Sequence, residues 1–177
     1  PMAEYKAPLR EQQFILQEVF QLPEFWQTLP ETQEVSLDLA QAVLEEGAKI
    51  CEKELFPLNR SGDEQGCTQT DDVVTTPDGF RDAYKVYAEG GWVGLGGDPN
   101  YGGQGMPKSL TVLFDEMLFA ANASFALYPT LGNGVCMSLV KHGSSALKEL
   151  YLPKLYSGEW CGTMCLTEPH AGTDLSI

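Results

Sequence analysis

The chain has 177 residues, 43% of them apolar, which is enough for one core, or for one domain with a piece of another. Eleven Lys and Arg against 25 Asp and Glu leave a net charge of −14, which repels phosphate backbones and argues against a nucleic-acid partner. Two distant histidines, and five cysteines without CxxC or Cys/His spacing, offer no metal ligand set.

The odd number of thiols, with no basic-then-apolar leader ahead of them, reads as a reducing, cytoplasmic setting. No uninterrupted apolar run approaches the roughly 20 residues of a spanning helix, so no membrane span is expected. Pro1 ahead of Met2 does not read as a natural start and is taken as an appended residue.

Along the chain, Phe14, Ile15, Leu16, Val19 and Phe20 lie on a short amphipathic helix that should end at Leu22-Pro23, because the residue before proline disfavours helical backbone. Thr28 and Glu31 resemble a capping box. Val35, Leu39, Val43, Gly47, Ile50 and Leu55 then recur at helical steps, predicting a long helix closed by Pro57. Ser61 to Asp72 reads as a polar loop, and Thr76-Pro77-Asp78 as the start of a helix whose face is Phe80, Ala83, Tyr84 and Tyr87 and whose end is Gly90-Gly91.

GWVGLGGDPNYGGQG places seven glycines between Gly91 and Gly105, the density of a structured loop. It lacks the third glycine of a dinucleotide fingerprint and no strand clearly precedes it, so it reads as a tight interhelical connection. Leu110, Leu113, Phe114, Met117, Leu118 and Ala121 give one further helix, and Leu131, Val135 and Leu139 another that stops at Gly143. Ser144 caps a last helix with a face of Leu147, Leu150, Tyr151 and Leu155, broken at Ser157-Gly158.

The period then changes. Trp160, Gly162, Met164 and Leu166 alternate with Cys161, Thr163, Cys165 and Thr167, the pattern of a strand. A lone strand cannot satisfy its own backbone groups, so its sheet partners are expected from sequence beyond Ile177 and the chain is read as the amino-terminal part of a longer one.

In LTEPHAGTD, residues 166 to 174, Thr167, Glu168, Thr173 and Asp174 cluster polar groups, and Gly172 admits close backbone approach to a ligand. That chemistry suits a phosphate or a heterocycle edge. The same residues are also ordinary β-turn composition, and both readings stand at this point. His170 and His142 have no orienting carboxylate and read as surface residues. Asp71-Asp72 and Glu45-Glu46 read as solvated acids.

Taken together, GWVGLGGDPNYGGQG, DEMLFAANASFAL, the pair Gly132-Asn133, LYLPKLYSGEW and CLTEPHAGTD resemble the acyl-CoA dehydrogenase family over nearly the whole chain. The opening residues 5 to 19 look like its longer bacterial members, of which one branch handles 3-methylthiopropionyl-CoA and others fatty acyl-CoA. The resemblance implies an all-α fold: an amino-terminal extension helix over residues 1–30, the helical domain over 31–158, and the first strand of a following β-domain over 159–177.

It also implies FAD as cofactor. The backbone of Leu166 and Thr167 and the Thr167 hydroxyl would lie at the pyrimidine side of the flavin, and Gly172 and Thr173 at the pyrophosphate, with Met164 flanking the ring where the family often has an aromatic residue. Leu131 and Val135 would line the acyl pocket, although core packing explains them equally well. The family's reaction turns acyl-CoA into trans-2-enoyl-CoA with a carboxylate base from a later domain, so no catalytic residue is assigned in this chain and the isolated fragment is expected to be inactive.

With the acyl-CoA substrate, the implied partners are an electron-transfer flavoprotein and further copies of the full-length chain. The acidic net charge implies that the CoA phosphates find their cations elsewhere. An acyl-CoA oxidase or flavin monooxygenase of the same fold, or a non-catalytic helical interaction module, are the alternatives.

Overall fold

The computed structural model describes residues 4–176. The expectation about Pro1 lies outside them. The fold is all-α apart from one small hairpin.

Helix α1 (Leu9–Phe14) runs into a π-turn (Ile15–Val19) that Gln21 ends by turning left-handed, at φ 47°. Its buried side is Gln12 and Leu16, four residues apart, while Phe14, Ile15, Val19 and Phe20 are exposed, so of the five apolar residues in the sequence pattern Leu16 alone is core. Gln12 Nε2 donates to the Leu113 carbonyl and to Glu116 Oε2, each at 2.9 Å, which fastens this segment across the core. Helix α2 (Leu22–Trp26) begins where a break was expected, with Pro23 in its first turn, where a missing N–H costs nothing. Trp26 is buried and its Nε1 donates to Ser109 Oγ at 2.8 Å.

Thr28 is not a helix cap: its hydroxyl donates back to the Phe25 carbonyl at 2.7 Å. Helix α3 (Leu37–Ile50) is capped instead by Ser36, whose Oγ accepts from Leu39 N at 3.1 Å. Nor does Pro57 end it. A π-turn (Cys51–Leu55) shifts the ladder, with Phe56 N reaching Cys51 O, and helix α4 (Pro57–Gln65) continues with the proline at its start. The expected loop over Ser61 to Asp72 is therefore half helix. The rest is a hairpin of β1 (Thr68–Thr70) and β2 (Val73–Thr75), antiparallel with Thr68 opposite Thr75, turning at Asp71. Helix α5 (Phe80–Glu89) starts after Gly79 at φ 83°, not at Thr76, because Pro77 supplies a carbonyl to Phe80 N rather than a first helical turn.

The glycine-rich connection is tied to itself by Gln104 N to Gly94 O, Gly105 N to Gly97 O and Met106 N to Leu95 O. Gly103 lies so close to Gly97 that a Cβ there would overlap its carbonyl carbon, backbone against backbone with nothing free to yield.

Helix α6 (Lys108–His142) spans both helices read from the sequence and breaks only at Asn122, where φ −159° and ψ 90° are extended. By length and composition α6 could cross a membrane, which the search for uninterrupted apolar runs missed. In the fold its first arm is core: Leu110, Phe114, Met117, Leu118 and Ala121 are buried with Leu16, Trp26, Leu44, Leu55 and Tyr87. Helix α7 (Ser145–Tyr156) is capped by Ser144, whose Oγ accepts from Leu147 N. It buries Leu152, Leu155 and Tyr156 against Cys136, whereas Leu147, Leu150 and Tyr151 of the expected face are exposed.

Beyond α7, residues 161–167 take no helix or ladder and, Gly162 apart, lie exposed, so the strand expected there is not formed. No described strand stands beside them, and a strand without a neighbour has nowhere to send its backbone hydrogen bonds.

Candidate functional site

The bend after this segment is a tight turn. Glu168 N donates to Ala171 O at 2.7 Å and Ala171 N returns to Glu168 O at 3.2 Å, with Pro169 and His170 between them. Asp174 then accepts from Ser176 N and Oγ, which holds its carboxyl below the ordinary carboxylate range. Met164, Leu166, Thr167, Gly172 and Thr173 all lie exposed on either side of the turn, so the structure sets these five on one solvent-facing segment.

A Cβ built on Gly172 would meet only Thr167 Cγ2, at 3.8 Å, and Gly172 is not among the positive-φ glycines. Neither packing nor strain within the fold requires glycine there. An open, side-chain-free approach at Gly172 between the exposed Thr167 and Thr173 suits a phosphate-bearing flavin dinucleotide, so the residues present fit FAD. Leu166, Thr167, Gly172 and Thr173 would hold it through amides and hydroxyls.

The second arm of α6 meets the start of this segment. Gly162 seats against it so closely that a Cβ would lie 2.6 Å from Val135 Cγ2 and 3.1 Å from Gly132 Cα. Val135 is thus half-buried under Gly162, whereas Leu131 remains 41% exposed one turn earlier. On the same face, Tyr128 accepts a hydrogen bond from Cys161 Sγ at 2.9 Å and stands edge-on to Tyr84 at 5.1 Å. Tyr84 Oη donates to the Gly158 carbonyl at 2.8 Å and lies 3.5 Å from Cys161 Sγ.

Both phenols titrate above their ordinary range, Tyr84 chiefly because burial disfavours phenolate and Tyr128 through the sulfur of the adjoining Cys161, with burial adding to it. The Tyr84, Tyr128 and Cys161 group was not singled out in the sequence. Its one signal is a tyrosine three residues before Leu131, on the same helical face.

A roomy cleft lies elsewhere. A cleft of about 540 Å³ opens between the two arms of α6, walled by Trp92, Phe114, Tyr156 and Met137, with Lys108 and Asp115 paired at 3.2 Å beside it. It contains neither Leu131 nor Val135, and no residue of the bend.

Residues 38–159 match the family model of the acyl-CoA dehydrogenase N-terminal domain. The chain is similar to 3-methylmercaptopropionyl-CoA dehydrogenase of Ruegeria pomeroyi, with 39% identity over 97% of this chain and 29% of that protein. It is also similar to a butyryl-CoA dehydrogenase of Syntrophomonas wolfei (37% identity, 78% of this chain, 23% of the relative). A third relative is the broad-specificity linear acyl-CoA dehydrogenase FadE5 of Mycobacterium tuberculosis (29% identity, 98% of this chain, 28% of the relative). The chain spans less than a third of the length of these relatives. An all-helical domain whose motifs and length-wide similarity agree has one reading: the chain belongs to the acyl-CoA dehydrogenase family.

Proposed function

We propose that this chain is the helical domain, with part of the flavin site, of an FAD-dependent enzyme that oxidises an acyl-CoA to its trans-2-enoyl-CoA in a reducing, cytoplasmic compartment. The observation that supports it is the bend at 166–174, where Thr167, Gly172 and Thr173 stand around an approach that the fold itself leaves open. FAD, when bound, supplies the acceptor for the β-hydride.

This chain's own part is binding and orientation. The amides of Leu166 and Thr167 and the Thr167 hydroxyl are donors for the edge where negative charge grows on reduction, and fixed donors need no reorganisation as that charge develops. Met164 offers a polarisable flank beside them. Leu131 presents an apolar surface to the acyl tail, and Val135 supports that surface from beneath Gly162.

The α-proton is taken by a carboxylate supplied from elsewhere in the longer polypeptide. Glu168 belongs to the turn and is not assigned that part. Electrons leave to an electron-transfer flavoprotein, and the working unit is a homo-oligomer.

Purification of the full-length gene product tests the reading. A yellow protein that releases FAD on heating and forms enoyl-CoA from butyryl-CoA, palmitoyl-CoA or 3-methylthiopropionyl-CoA with an artificial acceptor is the expected result. A colourless protein that yields no enoyl-CoA with any of the three would overturn it.

A further inference from the structure

Helix α7 presents Tyr151 and Lys154 three residues apart, hence on one face. Past its last turn the chain reverses at Gly158, at φ 78°, where a Cβ would lie 2.9 Å from Ala88 Cβ and 3.0 Å from Tyr84 Oη. The reversal lays Trp160 back over that face. Its ring stands 5.7 Å from the Tyr151 ring and 4.8 Å from Lys154 Nζ, and the same ammonium pairs with Glu159 Oε1 at 2.7 Å. Trp160 N donates to the Lys154 carbonyl at 3.0 Å, and among the described residues no later main-chain bond ties residues 161–176 to the helices.

Trp160 is not a core residue. It belongs to neither apolar cluster and is 39% exposed, so its removal opens no cavity in the domain. What it holds is the departure of the chain, because the segment beyond it takes no helix or ladder as far as the turn at Glu168. Gly162, seated against Val135 and Gly132, fixes where that segment passes α6. Trp160 fixes the direction from which it arrives. Two fixed points set a course where one would leave a pivot.

We propose that Trp160, held between Tyr151 and Lys154, is a positioning residue for the flavin-binding bend: with the seat at Gly162 it sets the course of residues 163–167 before the cofactor arrives, and so raises the affinity for FAD. The inference rests on the FAD reading above and deepens it. A segment already on its course loses less freedom on binding, and one that keeps that course only part of the time binds more weakly in proportion. Trp160 acts through the main chain that follows it.

The test uses the full-length protein, stripped of flavin and titrated with FAD while flavin fluorescence is followed. Trp160→Ala is expected to raise the Kd for FAD roughly fivefold and Lys154→Met roughly twofold, since an exposed cation over a ring is a modest contact. Trp160→Phe, which keeps a ring beside Tyr151 and Lys154, and Lys154→Arg, which keeps the cation, should stay near the wild type. As a readout apart from the cofactor, hydrogen exchange of the flavin-free protein should quicken at amides 161–167 in Trp160→Ala and Lys154→Met, while α7 and the melting temperature stay unchanged.

Folded Trp160→Ala and Lys154→Met proteins with wild-type FAD affinity would overturn the inference and leave the FAD reading intact, as would exchange that quickens across α7 as well. Should Trp160→Ala fail to fold, the comparison of Lys154→Met with Lys154→Arg decides. A wild-type protein that takes up no FAD would overturn the reading and the inference with it.

Discussion

The side-chain amide of Asn122 donates to the carbonyl of Leu55 at 3.0 Å, joining the one break in helix α6 to the end of the π-turn below α3. Each partner solves the other's problem. The π-turn and Pro57 displace the ladder, so that Asn59 N bonds to Phe56 O and the Leu55 carbonyl needs another donor. At the same time Asn122 Oδ1 accepts from Phe125 N at 3.1 Å and from Ser124 Oγ at 2.9 Å, which makes Asn122 the N-cap of the second arm. Asn122→Ala removes the cap and leaves a buried carbonyl unpaired, so a loss of about 2–4 kcal/mol is expected in urea unfolding. Asn122→Asp keeps the cap but turns an acceptor toward that carbonyl and should be no better.

Gly162 and Gly132 face each other across the seat of the carboxy-terminal segment, yet they should respond oppositely to alanine. A Cβ on Gly132 would meet only Gly162 N, at 3.6 Å, an ordinary contact in a helix that favours alanine. A Cβ on Gly162 would press on Val135 and on the helix backbone. Gly132→Ala is expected to leave stability unchanged or slightly raised. Gly162→Ala is expected to expose the 160–176 segment to limited proteolysis, read as earlier cleavage near Trp160.

Cys51 is fully buried on α3's continuation, and burial, then the nearby Glu52, pushes its thiol up to about 12. The folded value exceeds the ordinary thiol value, so the contribution to stability is complete below about pH 9 and is lost as pH rises toward 12. Unfolding measured from neutral to alkaline pH should show stability falling above about pH 9, and Cys51→Ala should flatten that limb even though it lowers stability at neutral pH by opening a small cavity. Among the free cysteines, exposed Cys67, Cys161 and Cys165 should react with maleimide in the folded protein while Cys51 and Cys136 do not.

Trp26 ties the amino-terminal helices to the base of α6 by burial and by one bond to Ser109. Trp26→Ala is expected to cost about 3–5 kcal/mol and Ser109→Ala about 1–2, because the latter leaves the indole N–H without its acceptor. Comparison of their unfolding midpoints checks the ordering. Equal losses would show that the bond, not the ring, carries the attachment.

Most of the helical content was legible in the sequence because Leu110, Phe114, Met117 and Leu118 repeat at helical spacing and are all buried. Boundaries were not. Thr28 and Glu31 form a motif that local spacing permits, but the hydroxyl found a nearer carbonyl at Phe25. Pro57 looks like a stop until a π-turn removes the need for its N–H.

The faces of α1 and α7 were misassigned for a different reason. Phe14, Val19, Leu147 and Leu150 are apolar and periodic but exposed in this chain, and periodicity cannot say which apolar stripe the core takes. At the site, the turn at Glu168 to Ala171 could be read from its composition. The Cys161 and Tyr128 bond joins residues 33 apart in sequence, a distance at which no local pattern speaks.

The cap at Asn122 has an architectural consequence. It divides a single 35-residue rod into a foundation and a cantilever. The foundation is locked into the domain's interior and tolerates little change, whereas the cantilever can exchange its outward residues without disturbing the footing. In a scaffold divided in this way, folding rests on the buried residues of the first arm, and outward positions of the second, such as Leu127 and Met137, are free to vary.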